Sequence, residues 1–289
     1  MDFATYTARW RESLRGVADA EDYGVVVEAG RAYALLAASS GDAASPTVVV
    51  TAGFHGDEKA GPLSLLAHAA ELFAYARAAG VGLRLYPCVN PSGFEAHTRY
   101  NVGGERPNND FLRYEIGPGA WRGELHAGEV PLAWRSFEGG PKETVALARA
   151  LARWPAPTAA LDLHQDNFIH GHVFYSYVFG DRAPYRPLQA RSGALLPVLR
   201  SSLVDSGYEP GSDVHADAEG FIECHDGSIT DHFHRAGVPF TAAIETTTDT
   251  PWPLADEINL LWVRGFIDLA RGADLARGAD LARDARGRG

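Results

Sequence analysis

The stretch Val48-Val49-Val50-Thr51-Ala52-Gly53-Phe54-His55-Gly56-Asp57-Glu58 carries both the architecture and the first chemistry of this chain. Residues 48–51 form a short, β-branched, apolar run that ends at Ala52-Gly53, the pattern of a buried strand. Beyond it, Leu63, Leu65, Leu66, Ala69, Ala70, Phe73 and Ala74 recur at helical spacing as far as Gly80. The alternation then continues. Strands are expected over residues 83–89, 159–163, 173–179 and 240–244. Helices are expected over 142–154, 188–204, 228–235 and 255–269. Strands alternating with helices predict an α/β fold with a mixed, mostly parallel central sheet and helices on both faces.

Two segments depart from this rhythm. Residues 90–140 are rich in Gly, Pro, Arg and Asn and too long for an ordinary connection, so a functional loop excursion is expected there. From Asp268 the chain repeats Asp-Leu-Ala-Arg-Gly-Ala, with Leu275 and Leu281 as its only large apolar residues. A period of six is too short for a solenoid. The expected organisation is one catalytic domain over residues 1–268 and a low-complexity tail over 269–289, either a frayed helical extension or disordered.

Composition narrows the function. With 26 Lys and Arg against 37 Asp and Glu, the 289-residue chain has a formal charge of −11. Such a chain repels phosphate backbones, which argues against a general nucleic-acid binder. Two cysteines, Cys88 and Cys224, cannot build a disulfide framework and weakly favour a reducing compartment. The N-terminus shows no secretory pattern, and no run approaches the ~20 apolar residues of a membrane helix. A soluble, cytoplasmic protein without a membrane partner is expected, its oligomeric state open.

His55 and Glu58 stand three apart where a strand gives way to a helix. On a helical turn they share one face, so an imidazole and a carboxylate can converge on a cation. The plain alternative is a loop histidine beside a helix-capping acid. His164 closes another core strand, where open α/β sheets place ligand-binding groups. Two histidines and a glutamate would supply three ligands and leave a fourth position, as a catalytic zinc site requires. Glu245 ends the strand Phe240-Thr-Ala-Ala-Ile-Glu245. An acid there is costly to bury unless used or paired. It could take a proton from an activated water, or it could be a structural ion-pair partner.

In this order the motifs resemble the zinc carboxypeptidases of the carboxypeptidase A type, with their relatives the murein-peptide amidases and the aspartoacylase/succinylglutamate-desuccinylase group. The likeness runs from about Val48 to Glu245. It rests on His55-x-x-Glu58, Asn90-Pro91-Ser92-Gly93, Arg99-Tyr-Asn101 followed by Gly104, and Asp162-Leu163-His164. It continues through Gly227-Ser228-Ile229-Thr230-Asp231, Gly237 and Ile244-Glu245. The resemblance implies that His55, Glu58 and His164 bind one zinc ion per chain. It implies that Glu245 acts as general base and then acid, and that Arg99 stabilises the oxyanion.

Departures from the family pattern bear on the substrate. Relatives carry Asp-Leu-Asn-Arg-Asn-Phe where this chain has Arg106-Pro107-Asn108-Asn109-Asp110-Phe111. Asn108 and Phe111 keep the frame. The arginine that would clamp a terminal carboxylate is Asn109, and the aspartate that would orient the first histidine is Arg106. Arg106 or Arg113 could supply the missing charge, and Asp110 the missing acid. The tyrosine expected upstream of the Gly-Ser-Ile segment is absent; Glu223, Cys224 and His225 stand there instead. Asn108, Asn109, Gln165 and Asp166 are the candidate substrate contacts. His170/His172 and His232/His234 are weaker candidates for a second metal, and Cys224 a weak candidate nucleophile.

The reading is a zinc hydrolase that cleaves an amide bond in a peptide or an N-acyl amino acid. The first expectation is a metallocarboxypeptidase-like peptidase. The alternatives are an N-acyl amino acid deacylase or amidase on the same fold, and a catalytically inactive peptide-binding module.

Overall fold

The computed structural model describes residues 1–41, 45–200, 203–204 and 214–286. The chain opens with helix α1 (Phe3–Ser13), whose first turn is capped by Asp2 accepting from the Thr5 amide at 2.7 Å. A hairpin follows, β1 (Asp19–Glu28) paired antiparallel with β2 (Arg31–Ser40). These three elements precede the first strand expected from the sequence. β1 is an edge strand with an exposed acidic start, so its apolar signal is weak.

The core then runs through β3 (Thr47–Ala52), α2 (Ala60–Ala79), β4 (Gly82–Tyr86) and the short α3 (Pro91–Ala96). The expected loop excursion carries a small antiparallel sheet of β5 (Leu112–Gly117), β6 (Ala120–Arg122) and β7 (Ala133–Ser136). After α4 (Lys142–Leu151) come β8 (Ala159–Asp166), β9 (Phe174–Val178) and α5 (Arg186–Leu195). The helix expected to reach Val204 therefore stops nine residues earlier. Pro197 explains this, because a proline disfavours helical geometry at the residue before it, and Leu196 is extended at φ −134° and ψ 147°. Two short strands, β10 (Leu203–Val204) and β11 (Val214–His215), pair with each other. The chain then passes through β12 (Phe221–Ile222), α6 (Ile229–Arg235) and β13 (Phe240–Thr247) into α7 (Trp252–Arg286). The boundary placed at residues 268/269 falls inside α7, whose backbone stays helical through most of the repeat. None of these helices is long and apolar enough to cross a membrane.

The eight-stranded sheet has the order β1-β2-β4-β3-β8-β13-β9-β12. β4, β3, β8 and β13 are mutually parallel, while β1–β2, β2–β4 and β13–β9 are antiparallel, so the sheet is mixed as expected. All six residues of β3 are buried because both faces are covered. Val48, Val50 and Ala52 pack toward Leu65, Leu66 and Phe73 of α2 and Ile258 and Trp262 of α7. Val49 faces the other way, into a second cluster with Leu147 of α4 and Ile229 and Phe233 of α6. Each such fully buried aliphatic or aromatic side chain contributes about 1.5–3 kcal/mol. In this register Thr51 lies opposite Asp162, and His164 opposite Glu245, at the carboxyl ends of three neighbouring parallel strands.

Candidate metal centre

His55 is delivered by a loop that the packing fixes tightly. Gly53 turns the chain out of β3 at φ +70°, where an added Cβ would meet Pro62 Cγ at 2.9 Å. At Gly56 a Cβ would fall 1.9 Å from the Gly93 carbonyl carbon, so only glycine lets this loop lie on the start of α3. Asn90 fastens the two segments. Its amide side chain donates to Phe54 O at 3.2 Å, its backbone N–H donates to Gly53 O at 2.8 Å, and its Oδ1 caps Gly93 N at 2.9 Å. The Asn90-Pro91-Ser92-Gly93 motif thus holds the metal loop. His55 and Glu58 converge through a turn before α2, closed by Glu58 N donating to His55 O at 3.3 Å, and not through the first turn of the helix as expected.

The three side chains meet in the interior, with His55 7%, Glu58 2% and His164 4% exposed. His55 Nδ1 lies 2.7 Å from Glu58 Oε1, and His164 Nδ1 lies 2.8 Å from Glu58 Oε2. One donor atom from each falls within 4.8 Å of the others, the one such grouping among the described residues. Two imidazole nitrogens and a carboxylate could therefore hold one metal ion, and they suit a borderline-soft cation better than an all-oxygen set would. His164 is aimed from behind: its Nε2 lies 2.7 Å from Asp162 Oδ2, and Thr51 Oγ1 donates to Asp162 Oδ1 at 2.8 Å. Its ring also stacks on Phe54, with centroids 6.2 Å apart and planes 6° from parallel.

The electrostatics are those of a concentrated charge cluster. Burial pushes His55 below the usual histidine range, partly offset by Glu58. Burial opposes charge on Glu58, but the two imidazoles outweigh it and hold the carboxyl well below its usual range. Burial likewise opposes charge on His164, and the Asp162 and Glu58 carboxylates outweigh it, holding that imidazole well above the usual range. Glu245, opposite His164 on the next strand, is pushed well above the usual carboxylate range by burial. Glu58 and Asp166 add to that shift, while His164 and Arg99 oppose it. Its Oε2 is buried with no hydrogen-bond partner among the described residues.

Arg99 donates to Glu58 Oε1 at 2.7 Å and lies 5.1 Å over the Phe168 ring. Together with His55, Glu58, His164 and Glu245 it lines a cleft of about 60 Å³. Gln165 and Asp166 also line it, but both make internal bonds. Gln165 Oε1 accepts from Ala60 N at 2.8 Å, at the start of α2, and Tyr175 OH donates to Asp166 Oδ2. Asn108 reaches the cleft with its Oδ1 buried and unpartnered. Asn109 is absent from the lining. Its side chain turns away to donate to Asp226 Oδ2 at 2.9 Å. Neither arginine offered as a substitute reaches the site: Arg106 lies on the Tyr100 ring at 4.9 Å, and Arg113 pairs with Asp110 and covers Phe137. Asp110 consequently does not orient His55, whose carboxylate partner is Glu58.

The weaker candidates separate. His232 faces a groove of about 570 Å³ lined by Phe111, Phe137, Trp154 and Phe233. His234 stacks instead on Phe179 with centroids 4.9 Å apart, the divergence expected of an i, i+2 helical pair. His170 is exposed and lies 3.7 Å from Asp249. Cys224 lines the cleft, but burial pushes its thiol well above the usual range, which disfavours the nucleophilic thiolate. Sequence reasoning overlooked Tyr175, Tyr177 and Asp226 as lining residues. The tyrosines arrive through the antiparallel pairing of β9 with β13, which sets Tyr175 opposite Glu245. That register has no local signal. Asp226 stood one residue before the quoted Gly227-Ser228 motif and could have been noticed as an acid among small residues.

No protein-family model matches the sequence, and no curated protein matches it. Solved structures do. A protein of Shewanella denitrificans OS217, provisionally named a metallopeptidase, matches with TM-score 0.68 at 22% identity over 92% of this chain and 89% of its own. A metallo-carboxypeptidase from Burkholderia cenocepacia matches with TM-score 0.60 at 12% identity, over 92% of this chain and 68% of its own. Carboxypeptidase A from Helicoverpa armigera matches with TM-score 0.62 at 16% identity, over 94% and 74% respectively. The carboxypeptidase-type fold expected from the motifs is the fold observed.

Proposed function

We propose that the chain is a zinc-dependent hydrolase of the carboxypeptidase A type that cleaves an amide bond in a small peptide or N-acyl amino acid. One observation carries the reading: the His55, Glu58 and His164 donors converge beside Glu245, a carboxyl whose buried Oε2 has no hydrogen-bond partner among the described residues. A carboxyl with one buried oxygen left unbonded beside a metal set is placed to take up a proton. A zinc ion held by His55, Glu58 and His164 would act as a Lewis acid and lower the pKa of water.

The chain's own residues account for the rest. Glu245, its affinity for protons raised by burial, takes a proton from the attacking water and returns it to the leaving nitrogen. Arg99 places a permanent positive charge at the cleft wall, where negative charge develops on the carbonyl oxygen. Asp162 and Thr51 hold His164 in one orientation, and Gln165 ties β8 to the start of α2, so the constellation is fixed before substrate arrives.

The charge of the lining favours the amidase or deacylase form of this activity over a peptidase selecting free C-termini. Among the described lining residues Arg99 is the sole lysine or arginine, and it already bonds Glu58. The test is metal analysis of the purified chain, followed by a screen of peptides and N-acyl amino acids with free and amidated C-termini. One equivalent of zinc with hydrolysis abolished in Glu245→Gln supports the reading. Metal-free protein that cannot be loaded, or protein that holds substrates without hydrolysis, leaves a binding module.

A further inference from the structure

Among the described residues five carboxylates line the cleft, and the geometry accounts for four. Glu58 is bonded by His55, His164 and Arg99, and Asp162 by His164 and Thr51. Asp166 accepts from Tyr175 OH and from the amides of Phe168 and Ile169. Glu245 is the proposed proton carrier. Asp226 remains, on the loop between β12 and α6, in a wall of small and polar residues that includes Cys224, Ser228 and Thr230.

Among the described residues Asp226 is held by neutral donors alone. Asn109 Nδ2 donates to its Oδ2 at 2.9 Å, and Ser228 N donates to its Oδ1 at 3.0 Å. The basic side chains of this loop and of α6 nearest to it are engaged elsewhere among the described residues. His225 pairs with Asp231 at 2.8 Å, and Arg235 approaches Asp231 at 4.0 Å. A half-buried carboxylate with two neutral donors retains accepting capacity, and no described cation compensates its charge. Burial, reinforced by Asp231, pushes it up to about 6, the mark of a carboxyl lacking a cation. Its support comes from Asn109, the residue standing where a carboxylate-clamping arginine was expected. The local charge is thus reversed: the position that would attract a carboxylate instead steadies one.

Resting on the hydrolase reading above for the location of the scissile bond, we propose that Asp226 determines specificity, and that the substrate places a protonated amine against it in place of a terminal carboxylate. The leaving fragment is accordingly a basic amide or a diamine-like unit. A free carboxylate in that position meets like charge.

Three probes vary the leaving fragment: benzoylglycyl-lysinamide carries a side-chain amine and no free carboxylate, benzoylglycyl-norleucinamide carries neither, and benzoylglycyl-norleucine carries a free C-terminal carboxylate and no side-chain amine. Their binding to the zinc-loaded full chain carrying Glu245→Gln is measured by calorimetry, and their hydrolysis by the zinc-loaded wild type is followed separately. The lysinamide is expected to bind about tenfold tighter than the norleucinamide, whose side chain ends in a methyl group and makes no hydrogen bond, since a charge-assisted hydrogen bond is worth about that much, and the free acid weakest. Adding Asp226→Asn should bring the two amides within about twofold of each other. Adding Asn109→Arg, which sets a guanidinium against Asp226, should move the preference toward the free acid. Equal binding of the two amides, or tightest binding of the free acid without the arginine substitution, overturns the proposal whether or not the variants fold. Amine preference without hydrolysis removes the hydrolase reading and leaves Asp226 as a cation-recognition group. Hydrolysis without amine preference removes this inference alone.

Discussion

Asp162 is the residue whose replacement most directly tests how the centre is built. It is 1% exposed, lies 2.7 Å from His164 Nε2 and accepts from Thr51 at 2.8 Å. In Asp162→Asn the shape and the Thr51 bond can survive, but the bond to His164 loses its charge. A neutral hydrogen bond is roughly half as strong as a charge-assisted one. Such supporting groups typically account for about 10–100-fold in metal affinity, or about 1.4–2.7 kcal/mol at 1.36 kcal/mol per decade. The stacked Phe54 ring still restrains His164, which places the expected loss nearer the lower end. The zinc Kd of the full chain, measured by competition with a chelator at fixed pH, should therefore rise about 10–30-fold within that range. Thr51→Val, which removes only the donor to Asp162, should raise it by about two- to fivefold, as expected for one neutral hydrogen bond. A Kd for Asp162→Asn within a factor of two of wild type, with the fold intact by circular dichroism, would refute the claim that Asp162 orients this ligand.

Other consequences follow from the same geometry. Purified protein should carry about one zinc per chain by mass spectrometry, and His55→Ala or His164→Ala should abolish tight binding, since two protein ligands leave the site incomplete. Stoichiometric zinc in both variants would remove the ligand assignment. Glu245→Gln should retain zinc and fold while kcat falls by ~10²–10⁴, because an amide cannot accept the water's proton; near-wild-type turnover would exclude it as the base. Gly56→Ala would place a Cβ 1.9 Å from the Gly93 carbonyl carbon, and backbone cannot give way as a side chain can. A loss of about 3 kcal/mol or more in denaturant unfolding is expected, at the upper end of overpacking costs, together with weakened zinc binding. A neutral result would show that the loop is not clamped as described.

Much of this protein was legible along the chain because the signals were local. The buried run at residues 48–51, the helical apolar spacing after it and the acid ending Phe240-Thr-Ala-Ala-Ile-Glu245 each report on their own segment. Together they conveyed the α/β alternation and placed His55, Glu58 and Glu245 just at or beyond the ends of core strands. What stayed hidden depends on distant partners. The β1–β2 hairpin draws its stability from an edge pairing, and its exposed acidic start conceals it. Tyr175 meets Glu245 only through the register of two antiparallel strands whose sequences lie some seventy residues apart. Asn109 was expected to face the substrate and instead supports Asp226, a contact spanning 117 residues. Local periodicity encodes which face of an element is buried. Which side chains share a cleft is settled by sheet order, register and the direction each loop takes on leaving the sheet, and those are set by packing among segments remote in sequence.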